Sequence, residues 1–180
     1  FRDRAAASDP FVIARLRAAE AVFIAGGDQW RYVTFWQGTP VEDELHALIA
    51  RGGVIGGTSA GLAILGEYAF GARHDTVTSA DALADPFRKE VALDRDFLSL
   101  PHLDRLITDS HFVERDRLGR TLVFLAKIQH DGWDARPRAI AVDRETAVLV
   151  EPSGRATIAG QNTAYFISTT ADAETFAAAE

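Results

Sequence analysis

At 180 residues the chain is long enough for one compact domain with a sizeable core. Its 47% hydrophobic and 25% charged residues exclude a disordered or fibrous chain, and its net charge of -7, from 26 acidic against 19 basic residues, argues against general nucleic-acid binding. The lack of cysteine excludes disulfides, thiolate metal sites and a cysteine nucleophile, and apolar runs such as 21–25 and 139–142 are far too short to cross a bilayer.

In chain order, Ser8-Asp9-Pro10 is a helix start, followed at helical spacing by Phe11, Val12, Leu16 and Ala19. Residues 21–25 form a short apolar run closed by Gly26-Gly27, the pattern of a buried parallel strand ending in a tight turn. A helix is predicted over 41–50, stopped by Gly52 and Gly53. Val54-Ile55 is a very short strand before Gly56-Gly57-Thr58-Ser59-Ala60-Gly61, and a helix from Ala60 to about Tyr68 is expected next. Residues 71–100 are irregular and read as a long excursion. A strand over 103–107 ends at Thr108-Asp109-Ser110-His111, and a helix carrying Leu118, Leu122, Leu125 and Ile128 follows. Strands over 138–142, 146–151, 156–159 and 163–168 complete the chain, separated by turn residues. Strand alternating with helix, then several strands, predicts an α/β fold: a mostly parallel sheet with antiparallel additions near the C-terminus.

Gly57-Thr58-Ser59-Ala60-Gly61 matches a Gly-x-Ser-x-Gly elbow between a strand and a helix, which makes Ser59 a candidate nucleophile. A glycine-rich turn that binds phosphate or simply packs tightly is the alternative. Of the five histidines, His111 alone follows the carboxyl end of a parallel strand, the edge on which active sites of open α/β sheets assemble. It is therefore the candidate base for Ser59, the alternative being a helix cap. Gly26-Gly27 ends a strand on the same edge, where the turn can offer an oxyanion donor and Gln29 can touch a ligand, a plain β-to-α turn being the alternative. Arg115, Arg117 and Arg120 are three guanidiniums within six residues; they suit an anion-binding corner and equally a solvated face paired with Glu114 and Asp116.

Together, Gly26-Gly27-Asp28-Gln29, Gly56 to Gly61, the run from Asp109 to Arg120 and Ile140 to Ala147 resemble the cyanophycinase family, within the wider dipeptidase E-like serine peptidases. The resemblance implies a three-layer scaffold like the class I glutamine amidotransferases, with serine at the nucleophile elbow. It also implies a single hydrolytic domain over 1–180 whose first strand or strands would lie upstream of Phe1. With no Met anywhere, the chain reads as processed or trimmed, and a cytoplasmic or an exported location both stay open. Members cleave cyanophycin, a polyaspartate carrying arginine on its side chains, into β-aspartyl-arginine dipeptides. By resemblance Ser59 attacks, His111 relays the proton, and the N–H groups of Gly27 and Ala60 hold the oxyanion. Gln29, Asp109, Ser110, Arg115, Arg117 and Arg120 match the substrate pocket, where Asp109 would face a substrate guanidinium and the arginines its carboxylates. Ser110 stands where the family usually has glutamine. Asp81 is the choice for the acidic triad member, with Asp75 and Asp85 as alternatives. The resemblance implies a homodimer and a peptide or cyanophycin-like substrate, and it calls for no metal and no organic cofactor. An Asp-specific dipeptidase, and a non-catalytic ligand-binding domain on the same fold, are the rival functions.

Overall fold

The computed structural model describes residues 1–170; the expected 1–180 domain extends beyond them. After a 3-10 turn at Arg4–Ser8, helix α1 (Pro10–Ala18) starts where expected. Asp9 caps it by accepting the Phe11 N–H at 2.8 Å, and Pro10 takes the first turn, where no N–H is needed. Strand β1 (Ala21–Ile24) pairs in parallel with β2 (Val54–Gly57), Ala21 opposite Val54 and Ile24 opposite Gly57. The crossover between them holds α2 (Gln29–Trp36) and α3 (Pro40–Ala50). α2 was not expected from its sequence, Gln-Trp-Arg-Tyr-Val-Thr-Phe-Trp, because aromatic and β-branched residues are mediocre helix formers. It is fixed instead by Asp28, which accepts from the Trp30 and Arg31 N–H groups, and by burial of Val33 and Trp36.

The helix expected from Ala60 to about Tyr68 is absent. Residues 59–64 form consecutive turns, with Gly61 N–H bonded to Thr58 O, and Leu62 and Ala63 N–H both bonded to Ser59 O. Ala60, Ala63, Ile64 and Leu65 are all buried, so the segment has no solvent face of the kind a surface helix needs. The chain must also enter strand β3 (Tyr68–Ala69) immediately, passing Gly66, where a Cβ would lie 2.4 Å from Leu106 O. The excursion that follows contains α4 (Ser79–Ala84) and β4 (Asp94–Arg95). Strand β5 (Leu106–Asp109) begins three residues later than expected, because Leu103 closes a turn onto Leu100 O. Helix α5 (Leu118–His130) leads to β6 (Arg138–Val142), the hairpin β7 (Thr146–Val150) and β8 (Ala156–Gly160), and β9 (Ala164–Ser168).

The fold is a mixed α/β arrangement, but the sheet is not the mostly parallel one expected. Among the described residues the strands form three separate ladders: β1-β2, β4-β3-β5-β6-β9 and β7-β8. Three pairings are parallel (β1 with β2, β3 with β5, β5 with β6) and three antiparallel (β3 with β4, β6 with β9, β7 with β8). The late antiparallel strands do lie near the C-terminus. One apolar cluster gathers Ile24, Val33, Trp36, Val41 and Leu45 with Ile64, Leu65 and Phe97, while the other packs Val123, Phe124 and Ile128 of α5 against Tyr68, Ile107 and Ala139. Each fully buried side chain of this size contributes roughly 1.5–3 kcal/mol. α5 turns Arg120, Thr121, Phe124, Leu125 and Ile128 inward and leaves Leu118 and Leu122 exposed.

Gly61 lies where two segments meet, since a Cβ there would sit 2.1 Å from Ile24 O. Backbone cannot retreat as a flexible side chain can, so Gly61→Ala is expected to destabilise the protein by about 1–3 kcal/mol, read as a lowered urea midpoint.

Candidate active site

The β1-β2 ladder runs one bond past β2, from Thr58 N–H to Ile24 O at 3.0 Å, so Ser59 is displayed just off the strand end. Its φ is +53°, a left-handed conformation uncommon outside glycine and a form of local strain. The glycines on either side make this turn possible: a Cβ on Gly57 would lie 2.3 Å from Gly61 O. Gly26, at the end of β1, packs directly on the serine, where a Cβ would come 3.2 Å from Ser59 Cβ.

Strand β5 delivers the partner. Thr108 Oγ1 donates to Leu62 O at 2.6 Å and so fastens β5 to the turns after Ser59. Three residues on, His111, itself at φ +49°, places Nε2 3.0 Å from Ser59 Oγ. The loop carrying it is clamped by the end of β6: Phe112 N–H bonds to Val142 O at 3.3 Å and Val113 N–H to Asp143 Oδ1 at 3.0 Å. Arg144 N–H bonds in turn to Glu114 Oε1 at 3.0 Å, which with the Arg144 charge holds the Glu114 carboxyl below its usual range. Burial pushes the His111 pKa down, the Arg115 and Arg117 charges push it further, and Glu114 and Asp109 oppose them. The neutral, proton-accepting imidazole is thereby favoured.

The other expected site residues divide by where they lie. Gln29 opens α2 and its amide reaches Phe70 O at 3.4 Å. Ser110 is buried, its N–H on Asp109 Oδ1 at 2.8 Å and its carbonyl on Arg117 Nη1 at 2.7 Å. Arg115 is exposed and its charge reaches His111. Ala60 is buried directly after Ser59, in a turn and not at the N-terminus of the expected helix. Asp109 does not face solvent. It is 4% exposed, bonded to Arg120 Nε at 2.9 Å, Arg120 Nη2 at 2.7 Å and Arg117 Nη1 at 3.0 Å, with Thr121 Oγ1 at 3.3 Å. Arg120, 3% exposed, also bonds Val77 O at 3.3 Å. The expectation that Asp109 and Arg120 are open to substrate is corrected: their charges are spent on each other inside the domain. Burial pushes the Arg117 pKa down to about 10 against the pull of Asp109, which leaves it charged at neutral pH.

Asp81 is not brought to His111. It lies exposed on α4, accepting from Thr78 Oγ1 at 2.6 Å and pairing with Arg88 at 3.1 Å, and these partners lower its pKa. The carboxylates whose charge acts on the imidazole are Glu114 and Asp109. Sequence reading missed Glu114 and Asp143 as parts of the site. Asp143 had a signal, since a turn residue straight after an apolar strand on the active edge is placed to cap a neighbouring loop.

A serine in a left-handed turn, bonded to a histidine and set beyond the ends of parallel strands in a mixed α/β fold, is an arrangement that suits a serine peptidase. The chain belongs to peptidase family S51, whose profile matches residues 4–105, more than half of it. It is similar to the cyanophycinase of Synechococcus elongatus, 30% identical over 162 residues that make up 88% of this chain and 45% of that protein. The cyanophycinase of Trichormus variabilis is 28% identical over 173 residues, 94% of this chain and 52% of that one. The chain spans about half the length of the curated relatives it matches. In fold it resembles the crystal structure of a peptidase from an acI-B1 Actinobacterium, with a TM-score of 0.65 and 16% identity over 97% of this chain and 66% of that one.

Removing the Asp109 carboxylate leaves the buried Arg120 and the partly buried Arg117 without their shared counter-charge. Asp109→Ala is expected to cost about 3–5 kcal/mol of stability, measured by urea denaturation.

Proposed function

We propose that this chain carries the catalytic centre of a serine-type exopeptidase on a class I glutamine amidotransferase-like scaffold, acting on cyanophycin to release β-aspartyl-arginine dipeptides. The observation that carries the reading is the 3.0 Å bond between His111 Nε2 and Ser59 Oγ, made by a serine held at φ +53°. In this reading Ser59 sits at a nucleophile elbow, and its hydroxyl gives its proton to His111 as Oγ adds to the scissile carbonyl. The oxyanion takes hydrogen bonds from the N–H groups of Gly27 and Ala60. The imidazolium then protonates the departing amine, and water, deprotonated by the same imidazole, hydrolyses the acyl-enzyme. His111 is kept in register by its backbone clamp to Val142 and Asp143. The cyanophycinase relatives support the substrate, and exposed Arg115 supplies a cation for its carboxylates.

The buried Asp109–Arg117–Arg120 cluster favours a second reading, an Asp-specific dipeptidase. A carboxylate already bonded to two guanidiniums is a poor receptor for the arginine of cyanophycin. Comparing turnover of cyanophycin with that of Asp-X dipeptides separates the two.

Ser59→Ala is expected to abolish hydrolysis and fluorophosphonate labelling while the circular dichroism spectrum is kept; an active variant would overturn both readings. The pH dependence carries its own sign. Only neutral His111 accepts the serine proton, so kcat/KM rises with pH along an acid limb whose midpoint lies below the ordinary histidine value of 6.5. Arg115→Gln removes one of the charges that lower that pKa, so the limb is expected to move to higher pH.

A further inference from the structure

We infer that the Tyr32 hydroxyl is a positioning residue that aims the Gly27 N–H at the oxyanion; the inference rests on the serine-peptidase reading above. Tyr32 lies in the first turn of α2, its ring tilted on Trp36 at 4.8 Å between centroids. Its Oη shares its one proton between two consecutive carbonyls just past β1, Ala25 O at 3.0 Å and Gly26 O at 3.2 Å. The Gly26 carbonyl and the Gly27 N–H belong to one planar trans peptide, so they point in opposite directions. Tethering the oxygen to Tyr32 therefore turns the N–H away from Tyr32.

That peptide adjoins the nucleophile, since a Cβ on Gly26 would stand 3.7 Å from Ser59 Oγ. That peptide has little of its own to hold its orientation. Two glycines in succession have no side chains to restrict them, and Gly27 sits at φ +153°, where a Cβ would lie 3.2 Å from Tyr32 Oη. When Ser59 Oγ bonds to the scissile carbon, the carbonyl π pair moves onto oxygen and the serine proton onto His111 Nε2. A flipped peptide would then present the Gly26 carbonyl oxygen, a negative dipole end, to the new anion. The hydroxyl tether prevents that flip.

The test is Tyr32→Phe in the full chain, which keeps the ring on Trp36 and removes only the donor, assayed on whichever of cyanophycin or an Asp-X dipeptide the wild type cleaves faster. Outright removal of an oxyanion donor costs about 10²–10³ in kcat, and a donor left untethered is expected to cost at least about 10-fold. KM and Tm stay close to wild type. An unchanged kcat, or a loss confined to KM or Tm, would overturn the inference. Ser59→Ala run in parallel separates the two levels: with that variant dead and Tyr32→Phe fully active, only the role of Tyr32 falls. With Ser59→Ala as active as the wild type, or the wild type inert, the peptidase reading falls and takes the inference with it. A second measurement needs no variant to fold. In wild-type crystals carrying a peptide boronate on Ser59, the Gly27 N–H should bond a boronate oxygen while Tyr32 Oη keeps Gly26 O. A Gly26 carbonyl facing the adduct would overturn the inference.

Discussion

Two guanidiniums converge on one buried carboxylate at the end of β5, and the active edge is organised around that contact. Asp109 takes both forks of Arg120 and one nitrogen of Arg117, and its own Oδ1 also receives the Ser110 N–H. Because Asp109 ends a strand and the arginines bracket the start of α5, the cluster fixes the strand–loop–helix connection that carries His111. It also sets the rotation of α5. Arg120 must face inward to reach Asp109, and at 3.6 residues per turn this carries Phe124 and Ile128 into the core and turns Leu118 and Leu122 outward. The guanidinium of Arg120 lies over the stacked Phe70 and Phe124 rings at 5.0 and 5.6 Å, a cation–π contact beside its ion pair.

A second constraint is backbone proximity. The Ser59 turn, the end of β1 and the turns up to Gly61 approach so closely that no side chain fits at Gly57 or Gly61. This closeness sets the serine oxygen beside the Gly26–Gly27 peptide, and it explains why the segment after Ser59 cannot coil as a regular helix.

What was legible in the sequence was local. Asp9-Pro10 announced α1, the glycine pairs marked the strand ends, and the Gly-x-Ser-x-Gly spacing singled out the turn that the structure places against His111. Topology alone selected His111 from five histidines. The rest depended on partners far apart in sequence. The rotation of α5 is set by a carboxylate 11 residues away, and the fate of Asp109 and Arg120 is set by each other, so a charge pattern that suited substrate binding became a buried ion pair. Asp81 looked suitable from its position between Ser59 and His111, yet Thr78 and Arg88 hold it on the surface of α4. α2 was hidden because its stability comes from a cap and from burial, not from propensity.

The same cluster gives the site its electrical character. Two guanidiniums around one carboxylate leave a surplus of positive charge beside His111, and Arg115 adds to it from the solvent side, inside a protein whose net charge is -7. Burial lowers the basicity of the imidazole, and that local field lowers it further. A substrate carboxylate seated at Arg115 would cancel part of the surplus. The imidazole would then regain basicity in the bound complex, where it must take the serine proton, while staying neutral in the free protein. Under the proposed function, substrate charge and base strength would be coupled through one arginine, and peptides with and without an acidic group near the scissile bond would differ in how readily Ser59 is deprotonated as well as in affinity.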